Sequence, residues 1–285
     1  MTIKIVTDSA CDVPPELARQ LDISVVPVYI NVGEKSYLEG VDISREQFYN
    51  RLPTFSDYPT TAAPAVGTFT QLYEQLTAAG ATQILSMHIA HDLSAVFNTA
   101  RVGAAAATSA PVTLFDTRQI TLGAGLLVLL AAEAAAAGQT ISEIVAMLNE
   151  KVRRTHVFGM IDSLESLRRS GRVSWAQFGI GSLLQIKPIM MITDGMISAA
   201  ARVRTRKRAL NQMLKMMSEL APFERLAIIH VNAQEAAEEL CQMSGDLFAS
   251  LSEATPMIQG ITPAIGTHLG VGAVGFAAVS AQTKN

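Results

Sequence analysis

Apolar positions along the chain follow two rhythms. Up to about residue 154, β-branched runs alternate with segments of helical spacing. Residues 3–7 form such a run and end at Asp8-Ser9. Pro14-Pro15 then opens a helix over residues 16–21, since proline suits a first helical turn. Residues 24–32 read as one second strand, with Gly33 as its turn. Spacing at Phe69, Leu72, Tyr73 and Leu76 predicts a helix over 66–79. Residues 83–89 read as a strand, 94–107 as a helix and 111–116 as a strand. An apolar helix follows near 122–137, ended by Gly138, and another spans 141–154. Strand–helix alternation of this kind implies a parallel sheet with helices on its faces.

From about Thr155 the rhythm changes. Residues 157–161 read as a strand. Two apolar runs, 186–192 and 196–201, are joined by Asp194-Gly195, a strong hairpin signal. A helix over 206–220, a strand over 225–231, a helix over 233–250 and strands near 257–261 and 273–280 complete the chain. The expectation is an α/β protein of two domains. Residues 1–155 form a parallel-sheet, Rossmann-like α/β domain and residues 156–285 an α+β domain, with a ligand between them. The length of 285 residues agrees with two domains at about 100–200 residues each.

Composition removes several classes. Apolar residues make up 49% and charged residues 16%, which excludes a disordered chain. A net charge of −3 supplies no general attraction for nucleic acid. Cys11 and Cys241 make neither a disulfide framework nor a zinc spacing, and suit a reducing compartment. The N-terminal MTIKIVTDSA enters a strand at once, without an export signal, so the expected location is cytoplasmic. The apolar run 122–137 has 16 residues, fewer than the roughly 20 that span a bilayer. Glu133 interrupts it, so it reads as a buried helix.

Candidate chemistry lies mostly in loops. Gly270-Val271-Gly272-Ala273-Val274-Gly275 matches G-x-G-x-x-G, but a strand follows it where a dinucleotide fold needs a helix. His88 and His91 are three apart, one on a strand and one in the turn after it, so their rings need not converge on a metal. Ligands of parallel sheets sit beyond the carboxyl ends of the strands. Those loops carry Asp8-Ser9, Leu93-Ser94 and Asp116-Thr117. Ser94 stands where an N-cap belongs, which makes it either a simple cap or part of an anion seat. Pro59 to Pro64 reads as a rigid turn with two hydroxyls, Thr60 and Thr61. Residues 261–272 read as a glycine-dense loop that lets backbone approach a ligand. His268 within it is hard to explain as packing. Eight of the 22 basic residues fall in two stretches, 168–172 and 202–208. With no interleaved aromatics, they suit a docking face or phosphate contacts better than nucleic acid.

Eight stretches in order carry a resemblance to the DegV family along nearly the whole chain. They are VTDSACDVP, PTTAAPAVGTF, DLSAVFNTA, FDTRQITLGAGLLV, IDSLESLRRSGRVS, GSLLQIKPIM, ARVRTRKRAL and PAIGTHLGVGAVG. The resemblance implies a protein that encloses a long-chain fatty acid between two domains, with no other cofactor and no metal. It implies a partner too: an ATP-binding kinase related to dihydroxyacetone kinases, which phosphorylates the bound carboxylate to an acyl phosphate. On this view the chain is the substrate-carrying subunit and has no catalytic residue of its own; transient membrane contact is compatible with the role. By position, Thr61, Ser94 and His268 correspond to the residues that bind the carboxylate. Arg172 and Arg202 correspond to basic positions suited to the partner or the phosphate. The family's L-S-G-T is Leu93-Ser94-Ala95-Val96 here, which loses a glycine and a hydroxyl near the head group. Two readings compete: a stand-alone enzyme on acyl or phosphorylated substrates with His268 as base, and a lipid carrier or sensor without a kinase.

Overall fold

The computed structural model describes residues 2–107, 109–162, 165–171, 186–249, 251 and 256–281. β1 (Ile3–Asp8) leads through a 3₁₀ turn into α1 (Pro15–Gln20) and β2 (Ile23–Val26). The second strand expected over 24–32 is two strands. Pro27 cannot donate to the ladder, and the chain leaves the first sheet there. It continues as β3 (Tyr29–Val32), which turns back as β4 (Lys35–Leu38). α2 (Arg45–Arg51) starts at a capping box of Ser44 and Gln47. The expected turn over 59–64 contains a short strand, β5 (Thr60–Ala62), paired antiparallel with β3.

α3 (Val66–Ala78), β6 (Gln83–His88), α4 (Val96–Ala106), β7 (Val112–Asp116), α5 (Thr121–Ala136) and α6 (Ile141–Val152) follow as expected, apart from the start of α4. β8 (Thr155–Met160), α7 (Glu165–Ser170) and the hairpin of β9 (Lys187–Thr193) and β10 (Met196–Val203) come next. Asp194 and Gly195, with φ of 52° and 78°, form the hairpin turn. α8 (Arg206–Ser218) and β11 (Phe223–His230) follow. The helix expected over 233–250 breaks into α9 (Gln234–Met243) and α10 (Gly245–Phe248). At the break the Ser244 hydroxyl donates to the carbonyl of Leu240 at 2.7 Å, competing with the helix ladder. β12 (Met257–Gly260), α11 (Pro263–Leu269) and β13 (Val274–Ser280) complete the order. The glycine-dense segment expected to be a loop is thus largely helical.

Among the described residues the strands form three sheets. β2-β1-β6-β7 is wholly parallel, β4-β3-β5 is antiparallel, and β10-β9-β8-β13-β11-β12 is mixed. α5 lies between the parallel and the mixed sheet, packed against β1, β8, β11 and β13. Apart from Glu133 near its C-terminal end it is apolar on all sides, because nearly all of its length is buried in protein. Two of its glycines permit that approach: a Cβ on Gly123 would lie 2.3 Å from Val157 Cγ2, and one on Gly125 2.4 Å from the Cys11 carbonyl oxygen. No helix among the described residues is long and apolar enough to cross a membrane. The mixed sheet has two faces. Val157, Ile161, Met190 and Ile229 join the core around α5. Phe158, Met160, Ile228 and Phe276 join a second core with Leu210 and Met213 of α8 and Leu240 of α9.

Candidate functional site

A cavity of about 250 Å³ opens where the parallel sheet, α11 and the mixed sheet meet. Thr61 of β5, Ser94 ahead of α4, and His268 in the last turn of α11 all line it. Thr61 Oγ1 lies 3.2 Å from His268 Nε2. Ser94 is not itself the N-cap. It stands one residue earlier, and its Oγ accepts from the Val96 N–H at 3.3 Å. Its own hydroxyl hydrogen is left for another acceptor. The rest of the lining is largely apolar, with Val28, Ile120, Leu167 and Ile197 among it. Ile120, Ile197 and Leu269 also wall a second chamber of about 40 Å³, which reaches Val157, Met190 and Ile229 on the mixed sheet. Polar groups therefore gather in one chamber, and hydrocarbon surrounds the other.

α11 is positioned by residues from the other half of the sequence. The Thr262 N–H donates to Asp12 Oδ1 at 2.7 Å and the Ala264 N–H to Glu39 Oε1 at 2.6 Å. Thr121 and Ser9 hydroxyls hold the remaining oxygens of those carboxylates, each at 2.5 Å. Burial pushes the Asp12 carboxyl up to about 6 and the Glu39 carboxyl up to about 7, with Arg45 opposing both rises. Tyr49 donates to the Ile261 carbonyl at 3.1 Å and Tyr58 to the Thr267 carbonyl at 2.7 Å. The Arg169 guanidinium stacks 4.9 Å from the centre of the Tyr58 ring. None of these four anchors stands out in the sequence, because their partners lie about two hundred residues away in the chain.

Other candidates are placed elsewhere. Arg202 is exposed on β10, paired with Pro188 across the ladder, and does not line the cavity. Arg172 lies outside the described residues. His88 is buried and bonded through Nδ1 to Asp8 at 2.9 Å and through Nε2 to Ser86 at 2.8 Å. That order resembles a hydrolase triad, but Ser86 is 0% exposed and bonded onward to Tyr73 at 2.8 Å. No substrate reaches it, so the set reads as a buried polar network. His91 instead meets Asp116 at 2.7 Å at the surface, and that hydrogen bond raises its pKa. The two imidazoles thus point to different partners, as their elements suggested. Cys11 is wholly buried, and burial pushes its thiol pKa up, away from the reactive thiolate. Among the described residues no three His, Cys, Asp or Glu side chains are grouped to hold a metal.

The family model of DegV, described as one of uncharacterised proteins, matches residues 2–281. A DegV domain-containing protein of Listeria innocua is 33% identical over 277 residues, 96% of this chain and 97% of that protein. The structure is similar to that of a DegV family protein from Thermus thermophilus described by its fatty acid binding. The TM-score is 0.89 and the identity 30%, with 99% of this chain and all of that one covered. DegV of Bacillus subtilis, described as a fatty acid binding protein, superposes with a TM-score of 0.89 at 29% identity and the same coverage.

Proposed function

The chain belongs to the DegV family, and on that premise we propose that it binds one long-chain fatty acid along the two chambers that share Ile120, Ile197 and Leu269 as wall and presents the carboxylate to a separate kinase. The observation that carries the reading is the polarity of the cavity: Thr61, Ser94 and His268 at one end, hydrocarbon beyond Ile120, Ile197 and Leu269. A buried carboxylate needs hydrogen bonds, or it takes up a proton instead. Two hydroxyls and an imidazole supply donors of the right kind. Each methylene buried contributes roughly 0.8 kcal/mol, so a long acyl chain offers on the order of 10 kcal/mol before the costs of binding. The fatty acid binding described for the Thermus thermophilus and Bacillus subtilis proteins supports the ligand class.

The finer part of the reading is transfer. A partner related to dihydroxyacetone kinases phosphorylates the carboxylate, and Arg172 and Arg202 meet the kinase or the new phosphate. Guanidinium forks recognise such groups in a bidentate way that lysine does not reproduce. Groups that favour the more highly charged acyl phosphate raise turnover rather than substrate affinity.

One preparation tests both parts. Organic extract of protein purified without detergent contains about one equivalent of fatty acid by mass spectrometry. Arg172→Ala then holds fatty acid within about threefold but slows phosphorylation by the kinase at least tenfold, a loss of about 1.4 kcal/mol in transition-state stabilisation. No lipid in the extract and no binding of added palmitate removes the proposal. Normal turnover in a well-folded Arg172→Ala protein removes the transfer role.

A further inference from the structure

We propose that Gly159 gauges the length of the acyl chain, an inference that rests on the fatty-acid reading above. Gly159 lies on the face of the mixed sheet that lines the apolar chamber, between Val157 on the same strand and Ile161 just beyond its end. Across the ladder it stands opposite Gly275 on one side and Met190 on the other. Gly275 in turn stands opposite Ile229. The row Met190–Gly159–Gly275–Ile229 is therefore tall at both edges and bare in the middle, a trough across two strands.

The two glycines differ in why they are glycine. A Cβ on Gly275 would lie 1.9 Å from the Phe158 carbonyl oxygen and 2.7 Å from the Gly159 Cα, so the strands themselves exclude a side chain there. A Cβ on Gly159 would meet nothing within 4 Å, and the backbone has no positive φ. Neither sterics nor conformation asks for glycine at 159, and a glycine inside a strand weakens it. What its bare position leaves open is space above the sheet, walled by Ile161, Ile192 and Ile261. That space is the far end of the hydrocarbon path from Thr61 and His268, where the last methylenes of an acyl chain come to rest. A side chain at 159 occupies it and shortens the path without touching the head group.

The test titrates laurate, myristate, palmitate and stearate into delipidated wild type, Gly159→Ala and Gly159→Leu, and melts each protein without ligand. Each methylene kept from contact costs about fourfold in affinity. Gly159→Leu is expected to lose stearate affinity by about tenfold or more while laurate stays within about threefold. Gly159→Ala moves the same way by less, and neither variant melts below wild type. Loss that is equal for all four acids, or an unchanged length profile, overturns the proposal. A clear drop in the melting point of ligand-free Gly159→Ala does so as well, since the glycine is then structural. If Gly159→Leu does not fold, the length profile of Gly159→Ala decides. Wild type that binds none of the four acids defeats the fatty-acid reading itself, before any variant is compared.

Discussion

Two hydroxyls and an imidazole stand beside a chamber lined mostly by hydrocarbon, and their value there is in the hydrogen bonds they offer. Thr61→Val keeps the shape of the side chain and removes the oxygen; Ser94→Ala removes the hydroxyl and the acceptor of the Val96 N–H. Each is expected to weaken fatty acid binding by about 1–3 kcal/mol, because a carboxylate loses a charge-assisted hydrogen bond. Thr61→Ser keeps the oxygen and loses much less. Isothermal titration of the delipidated variants measures this, and unchanged affinity in both deletions moves the anion seat elsewhere. Ser94 and His268 stand out as candidates by themselves, and Thr61 only through the family resemblance. Ser94 lies beyond a strand end of the parallel sheet, and His268 lies in a segment where packing gives no reason for an imidazole. That Thr61 and His268 sit 3.2 Å apart was not legible from residue types alone, since 207 positions separate them. The buried Asp8–His88–Ser86 set illustrates the converse. Residue types and distances suit catalysis, and only complete burial shows that they serve the core.

At the scale of elements, the legible ones declare themselves locally. The β9–β10 hairpin follows from Asp194-Gly195, and α5 from a long apolar run, interrupted only by Glu133 and closed by Gly138, whose φ is 84°. By propensity α11 reads as a loop, because Gly266 and Gly270 argue against a helix. Asp12, Glu39, Tyr49 and Tyr58 override that preference from distant parts of the chain. β5 is three residues long, too short for an alternating pattern to register. The tether at Glu39 gives α11 a pH dependence. The carboxyl has a folded pKa of about 7 against an ordinary 4.5. The folded protein therefore holds a proton that the unfolded chain has released, and this favours folding fully below about pH 4.5. The benefit is lost as pH rises through about 7, up to about 3 kcal/mol in all. Glu39→Gln stays neutral and keeps an acceptor for the Ala264 N–H. Relative to wild type it is expected to gain about 1–3 kcal/mol between pH 5 and pH 8. Urea denaturation at both values measures the difference. His156 and His230, whose pKa values burial lowers, act in the opposite direction but are common to both proteins. A difference independent of pH means that Glu39 stays ionised when buried.

For the whole molecule, the question is whether the two halves of the sequence behave as one body. The parallel sheet comes from strands before Thr155 and the mixed sheet from Thr155 onward, which agrees with the rhythm change in the sequence. Yet one hydrophobic cluster includes Ile5 and Leu85 of the first sheet, Leu127 and Val128 of α5, and Ile192 and Ile229 of the second. The cavity is lined from both halves as well, by Thr61 and Ser94 on one side and Ile197 and His268 on the other. A ligand that fills it adds contacts to both at once, and it binds the folded state alone. By linkage, free ligand at a hundred times its Kd stabilises by about 2.7 kcal/mol. One kcal/mol shifts Tm by about 2–4 °C in a chain somewhat shorter than this one. Delipidated protein is therefore expected to melt in a single transition that palmitate raises by roughly 5 °C or more. Thr61→Val shrinks that rise, because the head group is held less well, while leaving the ligand-free Tm within a few degrees. Calorimetry reads both quantities in one scan series. Two separate transitions, of which palmitate moves only one, assign the ligand to a single half of the chain, and the shared cavity then lies outside the binding path.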